Sequence, residues 1–261
     1  MRAKKSLGQN FLNSHAVARE IVASAKIVPS NTVLEIGPGK GFLTEGLLAS
    51  GARVIVVEKD DRMIPLLSDK FAQEILEKRL TLIHGDIVEL LDTQTLKLPK
   101  KYKVVANIPY YITGYILRAF LERGEKPETM VLMVQKEVAD RIIARDKKES
   151  ILSIAVKAYG TPRLVKKVPA RYFTPAPNVD SAVIAIEDIS NKHFKNKSDE
   201  ARFFEIMKTG FAHKRKQLSG NLKEIFGTRT PELLLIHNID PYARGEDLSF
   251  EDWITLTAIK K

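Results

Sequence analysis

The sequence predicts an α/β protein, with a doubly wound, mostly parallel sheet in its first part and helices in its last part. Through about residue 150, short apolar runs rich in β-branched residues alternate with segments of helical periodicity. This alternation is typical of a parallel sheet covered by helices. Several runs are apolar on both faces, as buried parallel strands are.

Five of these runs are predicted as strands, with helical segments between them. The strands are "TVLEI" (32–36), "RVIVVE" (53–58), "LTLIHGD" (80–86), "KVVAN" (103–107) and "TMVLMVQ" (129–135). The helices cover about 41–50, 60–77, 113–123 and 136–145.

The alternation then ends. "PRLVKKVP" (162–169) and "SAVIAIED" (181–188) are predicted as two strands joined by a proline-rich loop, and so as an antiparallel pair at one edge of the sheet. The polar segment 189–200 is predicted as a linker. Helices are predicted over about 199–211, 214–226, 230–236 and 249–260, which gives domains 1–189 and 190–261.

Composition narrows the classes of function. The 261 residues carry a formal net charge of +10, which favours a polyanionic partner, either nucleic acid or an anionic membrane. The absence of cysteine excludes disulfides and thiolate catalysis, and the five histidines show no metal-ligand spacing, so no metal is expected. No secretory signal or spanning apolar run is found, so a cytoplasmic protein is expected, and nothing in the sequence demands more than a monomer.

A glycine-rich turn follows the first strand of this set. In "VLEIGPGKGFLTEGL", Gly37, Gly39 and Gly41 allow a sharp turn and close approach to a ligand. Glu58 ends the next strand and is suited to bind both hydroxyls of a ribose, and Asp86 follows the third strand. This trio predicts an adenosine-containing cofactor, which leaves both NAD and S-adenosylmethionine open.

The group "NIPYYITG" (107–114) at the end of the fourth strand favours S-adenosylmethionine over NAD. The Asn107 side-chain oxygen and a backbone carbonyl at Ile108 or Pro109 could accept both N–H groups of an exocyclic base amine and aim its lone pair at an electrophile. Pro109 stiffens the turn, and Tyr110 offers a face for the base to stack on. A hydride-transfer enzyme would not need this arrangement.

A second aromatic candidate lies in "PARYFTPAPNVDS" (169–181), where Phe173 is expected to project from a rigid loop and to enclose a flipped base together with Tyr110. The alternative is a proline-rich linker with a buried phenylalanine.

Together these motifs resemble the ribosomal RNA adenine N6,N6-dimethyltransferase family, and within it the bacterial small-subunit rRNA enzymes. The resemblance covers most of the chain, through "SLGQNFL", "VLEIGPGKG", "VEKD", "GDI", "NIPYYI", "VQKEVADR", "YFTPAPNVDS" and "FAHKRKQL". It implies a seven-stranded class I methyltransferase fold with a small C-terminal helical domain, and S-adenosylmethionine as methyl donor. His213 and "KQLSGNL" depart modestly from the usual pattern, which bears on fine RNA contacts.

The resemblance also implies roles for individual residues. Gln9, Asn10 and Leu12 would close over the cofactor, Gly37 would approach its methionine part, Glu58 would bind its ribose and Asp86 its adenine amino group, with Ile87 and Asn107 lining the site. Gly39 and Lys59 belong to the same motifs and join the predicted cofactor-binding set. In this family, two adjacent adenosines near the 3′ end of small-subunit rRNA each receive two methyl groups, and members also act as checkpoints in subunit assembly.

The positive charge is concentrated in segments. Residues 150–179 and 208–223 each contain five Lys or Arg and no acid, and the first thirty residues contain five basic residues and one acid. Such segments are typical of a phosphate track, although solvated faces are the alternative. The predicted RNA-binding residues are Lys4, Lys5, Arg163, Lys166, Lys167, Arg171, Lys214, Arg215 and Lys216.

Other functions remain open at this point. A large-subunit rRNA methylase of the macrolide-resistance type would share every catalytic motif, although "NIPYYI" and the long helical tail favour the small-subunit enzyme. A non-catalytic assembly factor could keep the fold, but Asn107 and Glu58 are intact. A nicotinamide oxidoreductase conflicts with the G-x-G-x-G spacing and lacks a proton donor.

Overall fold

The computed structural model describes residues 4, 8–122 and 124–259. Within this part of the chain there are two compact units. The first contains the described residues up to Ala139 together with Thr161–Ile189. The second contains Asp140–Gly160 and the described residues from Ser190 onward.

The first unit is built on a mixed sheet. The strands of the described residues are β1 (Phe11–Leu12), β2 (Thr32–Ile36), β3 (Arg53–Glu58), β4 (Leu80–His84), β5 (Lys103–Asn107), β6 (Thr129–Gln135), β7 (Thr161–Val168), β8 (Phe173–Thr174) and β9 (Ser181–Glu187). Seven form one sheet in the order β4-β3-β2-β5-β6-β9-β7. The five strands from β4 to β6 are parallel, and β9 is antiparallel to both β6 and β7. The predicted parallel sheet with an antiparallel edge pair is therefore confirmed.

The described residues also form twelve α-helices. They are α1 (His15–Ser24), α2 (Phe42–Ala49), α3 (Met63–Lys70), α4 (Ala72–Leu76), α5 (Ile87–Asp92), α6 (Thr113–Glu122), α7 (Lys136–Ile142), α8 (Ile151–Lys157), α9 (Lys197–Gly210), α10 (Leu218–Phe226), α11 (Thr230–Ile236) and α12 (Phe250–Ala258). The single helix predicted over 60–77 is two helices, because the chain turns at Phe71. The ring of Phe71 is buried against the glycine turn, where a Cβ on Gly41 would lie 2.5 Å from it.

The parallel strands place four loops at one edge of the sheet. The residues of β2 and β5 at the sheet centre are almost all buried. Because parallel strands all end on the same side, the loops after β2, β3, β4 and β5 meet at their carboxyl ends.

A second, two-stranded sheet was not predicted. In it β1 pairs antiparallel with β8, with Phe11 opposite Thr174 and Leu12 opposite Phe173. The Asn13 amide extends the pairing by donating to the Tyr172 carbonyl at 2.9 Å. The N-terminal segment is thereby attached to the loop that precedes β9.

The second unit is helical, with its own core. Trp253 of α12 is completely buried and its ring stacks on Phe211, with centroids 5.1 Å apart. Gly210 makes this packing possible, since a Cβ there would collide with the Trp253 ring.

The two structural units differ from the predicted domains 1–189 and 190–261 in the placement of residues 140–160. The structure groups 140–160 with the C-terminal helices, whereas the sequence placed it in the first domain. The Tyr159 hydroxyl donates to Glu200 of α9, and the Ser190 amide donates to the Tyr159 carbonyl at 2.8 Å. These contacts join α8 to α9 across a long separation in sequence, which local patterns do not reveal.

Glu35 is a carboxyl group inside the first unit. It lies on β2 with 1% of its surface exposed and accepts a hydrogen bond from the Thr44 hydroxyl at 2.6 Å. Burial, opposed in part by that hydrogen bond, raises the pKa of Glu35 to about 8 from 4.5. The folded protein therefore holds a proton that the unfolded chain releases at a lower pH.

The replacement Glu35→Gln should remove part of the pH dependence of stability. Below pH 4.5 the carboxyl is protonated in both states, and between about 4.5 and 8 only the unfolded chain ionises, so the free energy of unfolding falls as pH rises. The contribution is at most about 1.4 kcal/mol per pH unit. We expect thermal melts from pH 5 to 8 to show a shallower loss of stability for Glu35→Gln than for the wild type.

The matched control is Glu224→Gln, which changes an exposed carboxyl on α10. Parallel stability curves for the wild type and Glu35→Gln across this range would contradict a protonated Glu35.

Candidate active site

A pocket lies at the carboxyl edge of the parallel strands. It is bounded by the loops after β2, β3, β4 and β5 and by residues 8–12, which we call the N-terminal strap. Most of the predicted site residues line it, namely Gln9, Asn10, Leu12, Gly37, Gly39, Glu58, Lys59, Asp86, Ile87, Asn107, Pro109 and Tyr110. The structure thus brings together residues that are up to about a hundred positions apart, while their individual roles remain predictions.

The glycine turn leaves one face of the pocket open. Gly37 and Gly39 have φ angles of +65° and +56°, a left-handed conformation that favours glycine. A Cβ on Gly37 would meet nothing within 4 Å, so the backbone there is accessible from the pocket. At Gly39 a Cβ would lie 2.8 Å from the Phe11 ring, so this glycine lets the strap lie against the turn.

Glu58 is held by two backbone amides from different loops. Its Oε2 accepts from the Gly39 amide at 3.1 Å, and its Oε1 accepts from the Asp60 amide at 2.7 Å. The residue is buried, and burial raises the pKa of Glu58 against the opposing effect of these hydrogen bonds. Each carboxylate oxygen can still accept a further hydrogen bond, so the pair is suited to two adjacent hydroxyl groups.

Asp86 combines a helix cap with an ion pair. Its Oδ1 accepts from the Val88 amide at 2.9 Å and so caps α5, and its Oδ2 lies 2.6 Å from Lys59 Nζ. Burial acts to raise the pKa of Asp86, but Lys59 and the Val88 amide outweigh it and hold the pKa below its usual value. The neighbouring Ile87 is buried and supplies an apolar wall.

Asn107 ends β5 with its side chain oriented by the strap. Its Nδ2 donates to the Asn10 carbonyl at 3.2 Å, which leaves Oδ1 as a hydrogen-bond acceptor. The Pro109 carbonyl accepts from the Ile112 amide at 3.2 Å. The Pro109 carbonyl is therefore already engaged within the turn, and of the two predicted backbone acceptors we use the Ile108 carbonyl, from a residue that lines the pocket, in the proposal below.

Tyr110 is fixed by a residue that the sequence analysis did not single out. Its hydroxyl shares a 2.6 Å hydrogen bond with Oγ of Ser181, which is buried at the start of β9. Burial raises the pKa of Tyr110, so the phenol stays neutral. Ser181 is the last residue of the "YFTPAPNVDS" motif, which is the signal that could have pointed to it.

The expectation that Phe173 projects from its loop is wrong. The side chain is 3% exposed and belongs to the hydrophobic core with Leu12 and Val168, and it does not line the pocket. Pairing of β8 with β1 turns it inward. The alternative of a buried phenylalanine fits the structure, and stacking by Phe173 is not realised in this conformation.

The predicted RNA-binding residues differ in their surroundings. Arg163 pairs with Glu187, Lys166 with Glu20, and Lys4 with Asp60 and Asp61. Segments without acids in the sequence are therefore partly neutralised by acids from elsewhere. Arg171 lies over the Tyr172 ring at 5.2 Å, and Lys5 lies outside the described residues. Of the predicted set, Lys167, Arg171, Lys214, Arg215 and Lys216 are exposed and have no ion-pair partner among the residues that the structure describes.

The described part of the chain has neither a metal-ligating cluster nor a membrane-spanning helix. No group of three or more metal-ligating side chains occurs there. None of the helices there is long and apolar enough to cross a membrane.

Known proteins resemble this chain over most of its length. Two curated relatives are named Ribosomal RNA small subunit methyltransferase A. The protein from Dehalococcoides mccartyi (strain CBDB1) is 43% identical over 256 residues, covering 97% of this chain and 87% of its own. The protein from Lactiplantibacillus plantarum is 39% identical over 269 residues, covering 98% and 90%.

Two solved structures are also similar. The 23S rRNA methyltransferase ErmE has a TM-score of 0.81 at 25% identity and covers 95% of this chain and 98% of its own. A dimethyladenosine transferase from Plasmodium falciparum has a TM-score of 0.75 at 26% identity and covers 94% and 95%. A family model described as ribosomal RNA adenine dimethylase matches residues 1–261. The chain therefore belongs to the ribosomal RNA adenine dimethylase family.

Proposed function

We propose that this protein transfers methyl groups from S-adenosylmethionine to the N6 amines of two adjacent adenosines near the 3′ end of small-subunit rRNA, within the subunit or its precursor. The observation that carries the proposal is the acceptor pair at the end of β5. Asn107 Oδ1 is left free by the Asn10 contact, and the Ile108 carbonyl lies next to it in the chain.

The pocket fits the methyl donor. Gly37 offers open backbone where the methionine part would lie, Glu58 holds two acceptor oxygens for the ribose hydroxyls, and Asp86 would accept from the adenine amino group. Ile87 is an apolar surface for the adenine ring. When bound, S-adenosylmethionine supplies an electrophilic methyl group.

The acceptor pair prepares the target amine. An adenine N6 amine is a poor nucleophile because its lone pair is delocalised into the ring. Asn107 Oδ1 and the Ile108 carbonyl can accept one N–H each, which favours a pyramidal nitrogen and directs its lone pair. Tyr110, held through Ser181, provides the face on which the base stacks. No general base is required, since the methylated nitrogen loses its proton after transfer.

The choice of the small subunit is supported by sequence similarity. The chain is 43% identical to a relative named for the small subunit but 25% identical to ErmE, which is named for 23S rRNA. Fold similarity does not distinguish the small subunit from the large subunit as substrate, because ErmE superposes at least as well as the dimethyladenosine transferase. A role in small-subunit assembly is part of the proposal.

The substrate is tested with methyl-labelled S-adenosylmethionine and ribosomal subunits from cells that lack both modifications. Label recovered as dimethyladenosine from the small subunit alone supports the proposal. Label in the large subunit would move the protein to the resistance-type methylases. Binding without label in either subunit would favour a non-catalytic assembly factor.

Asn107→Ala should lower methyl transfer by at least about 100-fold, because it removes the acceptor that orients the amine. Cofactor affinity measured by calorimetry should change little. Asn191→Ala, an exposed asparagine, is the matched control. Transfer at the wild-type rate in Asn107→Ala would refute the acceptor mechanism.

Glu58→Ala should weaken binding of S-adenosylhomocysteine about tenfold or more, since the ribose loses a charged acceptor and two backbone amides lose theirs. Calorimetry measures this without turnover. The control is Glu89→Ala, which removes an exposed carboxyl from α5. Equal affinity for wild type and Glu58→Ala would exclude the ribose assignment.

The basic residues in the turn that precedes α10 are expected to bind RNA phosphates. Reversal of Lys214, Arg215 and Lys216 to Glu should weaken binding to small subunits and reduce the slope of log K against log salt by about two. The control reverses three exposed lysines elsewhere, Lys97, Lys100 and Lys101, with the same change in net charge. If both triple variants change the slope equally, the effect is one of net charge rather than of a local track.

A further inference from the structure

Asp60 is a buried charge that the proposed mechanism does not use. It follows Glu58 by two residues, its side chain has 0% exposure, and it does not line the pocket. Burying a carboxylate is costly unless charged and hydrogen-bonding partners compensate it. Here the compensation comes from several parts of the chain.

The partners of Asp60 connect two loops. Its Oδ1 and Oδ2 accept from Arg62 Nε and a terminal guanidinium nitrogen at 2.9 and 2.6 Å, and its Oδ2 also accepts from Gln9 Nε2 at 2.8 Å. Lys4 Nζ lies 3.3 Å from Oδ1. The backbone amide of Asp60 donates to Glu58 Oε1 at 2.7 Å. One residue therefore contacts both the strap and the buried carboxylate of the pocket.

The strap needs such an anchor. Its own sheet is two residues long on each strand, and a short two-stranded ribbon is marginal without other contacts. Gln9 lies at the end of the strap away from that sheet, and both ends of its side chain are engaged, Nε2 by Asp60 and Oε1 by the Lys4 amide at 2.8 Å. The next residue, Asn10, holds the Asn107 side chain.

We propose that Asp60 is a positioning residue that anchors the N-terminal strap through Gln9 and, through the Asn10 carbonyl, holds the Asn107 carboxamide with Oδ1 as the acceptor. Asp60 then has two roles. Its backbone amide fixes Glu58, and its carboxylate, through Gln9 and Asn10, restrains the residue that orients the target amine. The catalytic part of this inference rests on the proposed function, whereas the anchoring part does not.

The alternative is that Asp60 only stabilises its own loop through Arg62. Gln9→Ala separates the two, because it removes the strap contact and leaves the Asp60–Arg62 pair in place. Asp60→Ala removes both. Asp61→Ala is the matched control, since Asp61 is the adjacent carboxylate, is 71% exposed and contacts Lys4, and has no hydrogen bond to Gln9 in the described structure.

The test compares hydrogen–deuterium exchange with steady-state kinetics. We expect Gln9→Ala and Asp60→Ala to raise exchange of the strap amides about tenfold, while exchange in β3 is unchanged. We also expect kcat to fall about tenfold, because a small displacement of Asn107 misdirects the amine. Asp61→Ala should match the wild type in both measurements.

Unchanged strap exchange in Gln9→Ala, or faster exchange with an unchanged kcat, would overturn the inference. Gln9→Ala carries the test if Asp60→Ala fails to fold, which circular dichroism shows. If the wild type itself transfers no methyl group, the proposed function fails, and the exchange measurement still decides whether Asp60 anchors the strap.

Discussion

The pocket depends on how the Glu58 carboxylate is compensated. A buried carboxylate must be hydrogen-bonded, and here the donors are the backbone amides of Gly39 and Asp60, which belong to the loops after β2 and β3. The glycine turn and the second loop are thereby tied to one side chain. Because Phe11 packs against Gly39, and Asp60 accepts from Gln9, the strap is attached to the same pair of loops. Satisfying one buried charge therefore links two of the four loops of the pocket to the strap.

Much of the site could be predicted because its residues directly follow strands. Gly37, Glu58 and Asn107 each end or follow a strand whose apolar pattern is evident in the sequence. Parallel strands bring their carboxyl ends to a single edge, so identifying the strands was sufficient to place these side chains together. The orientation of Asn107 needed the structure, since its partner Asn10 lies 97 residues away in the chain.

The features that the sequence did not predict also depend on contacts between residues that are distant in the chain. Phe173 is surrounded by prolines and polar residues, so no periodicity shows which way it faces, and its burial follows from pairing with Leu12 at the other end of the unit. Lys166 lies in a segment without acids, yet its partner Glu20 is 146 residues earlier. Local composition reports neither kind of contact. The two-residue strands β1 and β8 are likewise too short to produce a pattern.

In the proposed function the carboxylates of the pocket serve as fixed acceptors rather than as proton carriers. Glu58 is held by two amides, Asp86 by Lys59 and the cap of α5, and the neutral Tyr110 phenol is bonded to Ser181. In the proposed mechanism no base removes a proton before transfer, so the rate would depend on how accurately the amine is presented to the methyl donor. Under that mechanism the site would tolerate little displacement of Asn107, so the contacts that restrain its side chain would matter as much as the residues proposed to touch the base. If Asp60 anchors the strap as we propose, the strap and its buried carboxylate belong to the chemistry as well as to the fold.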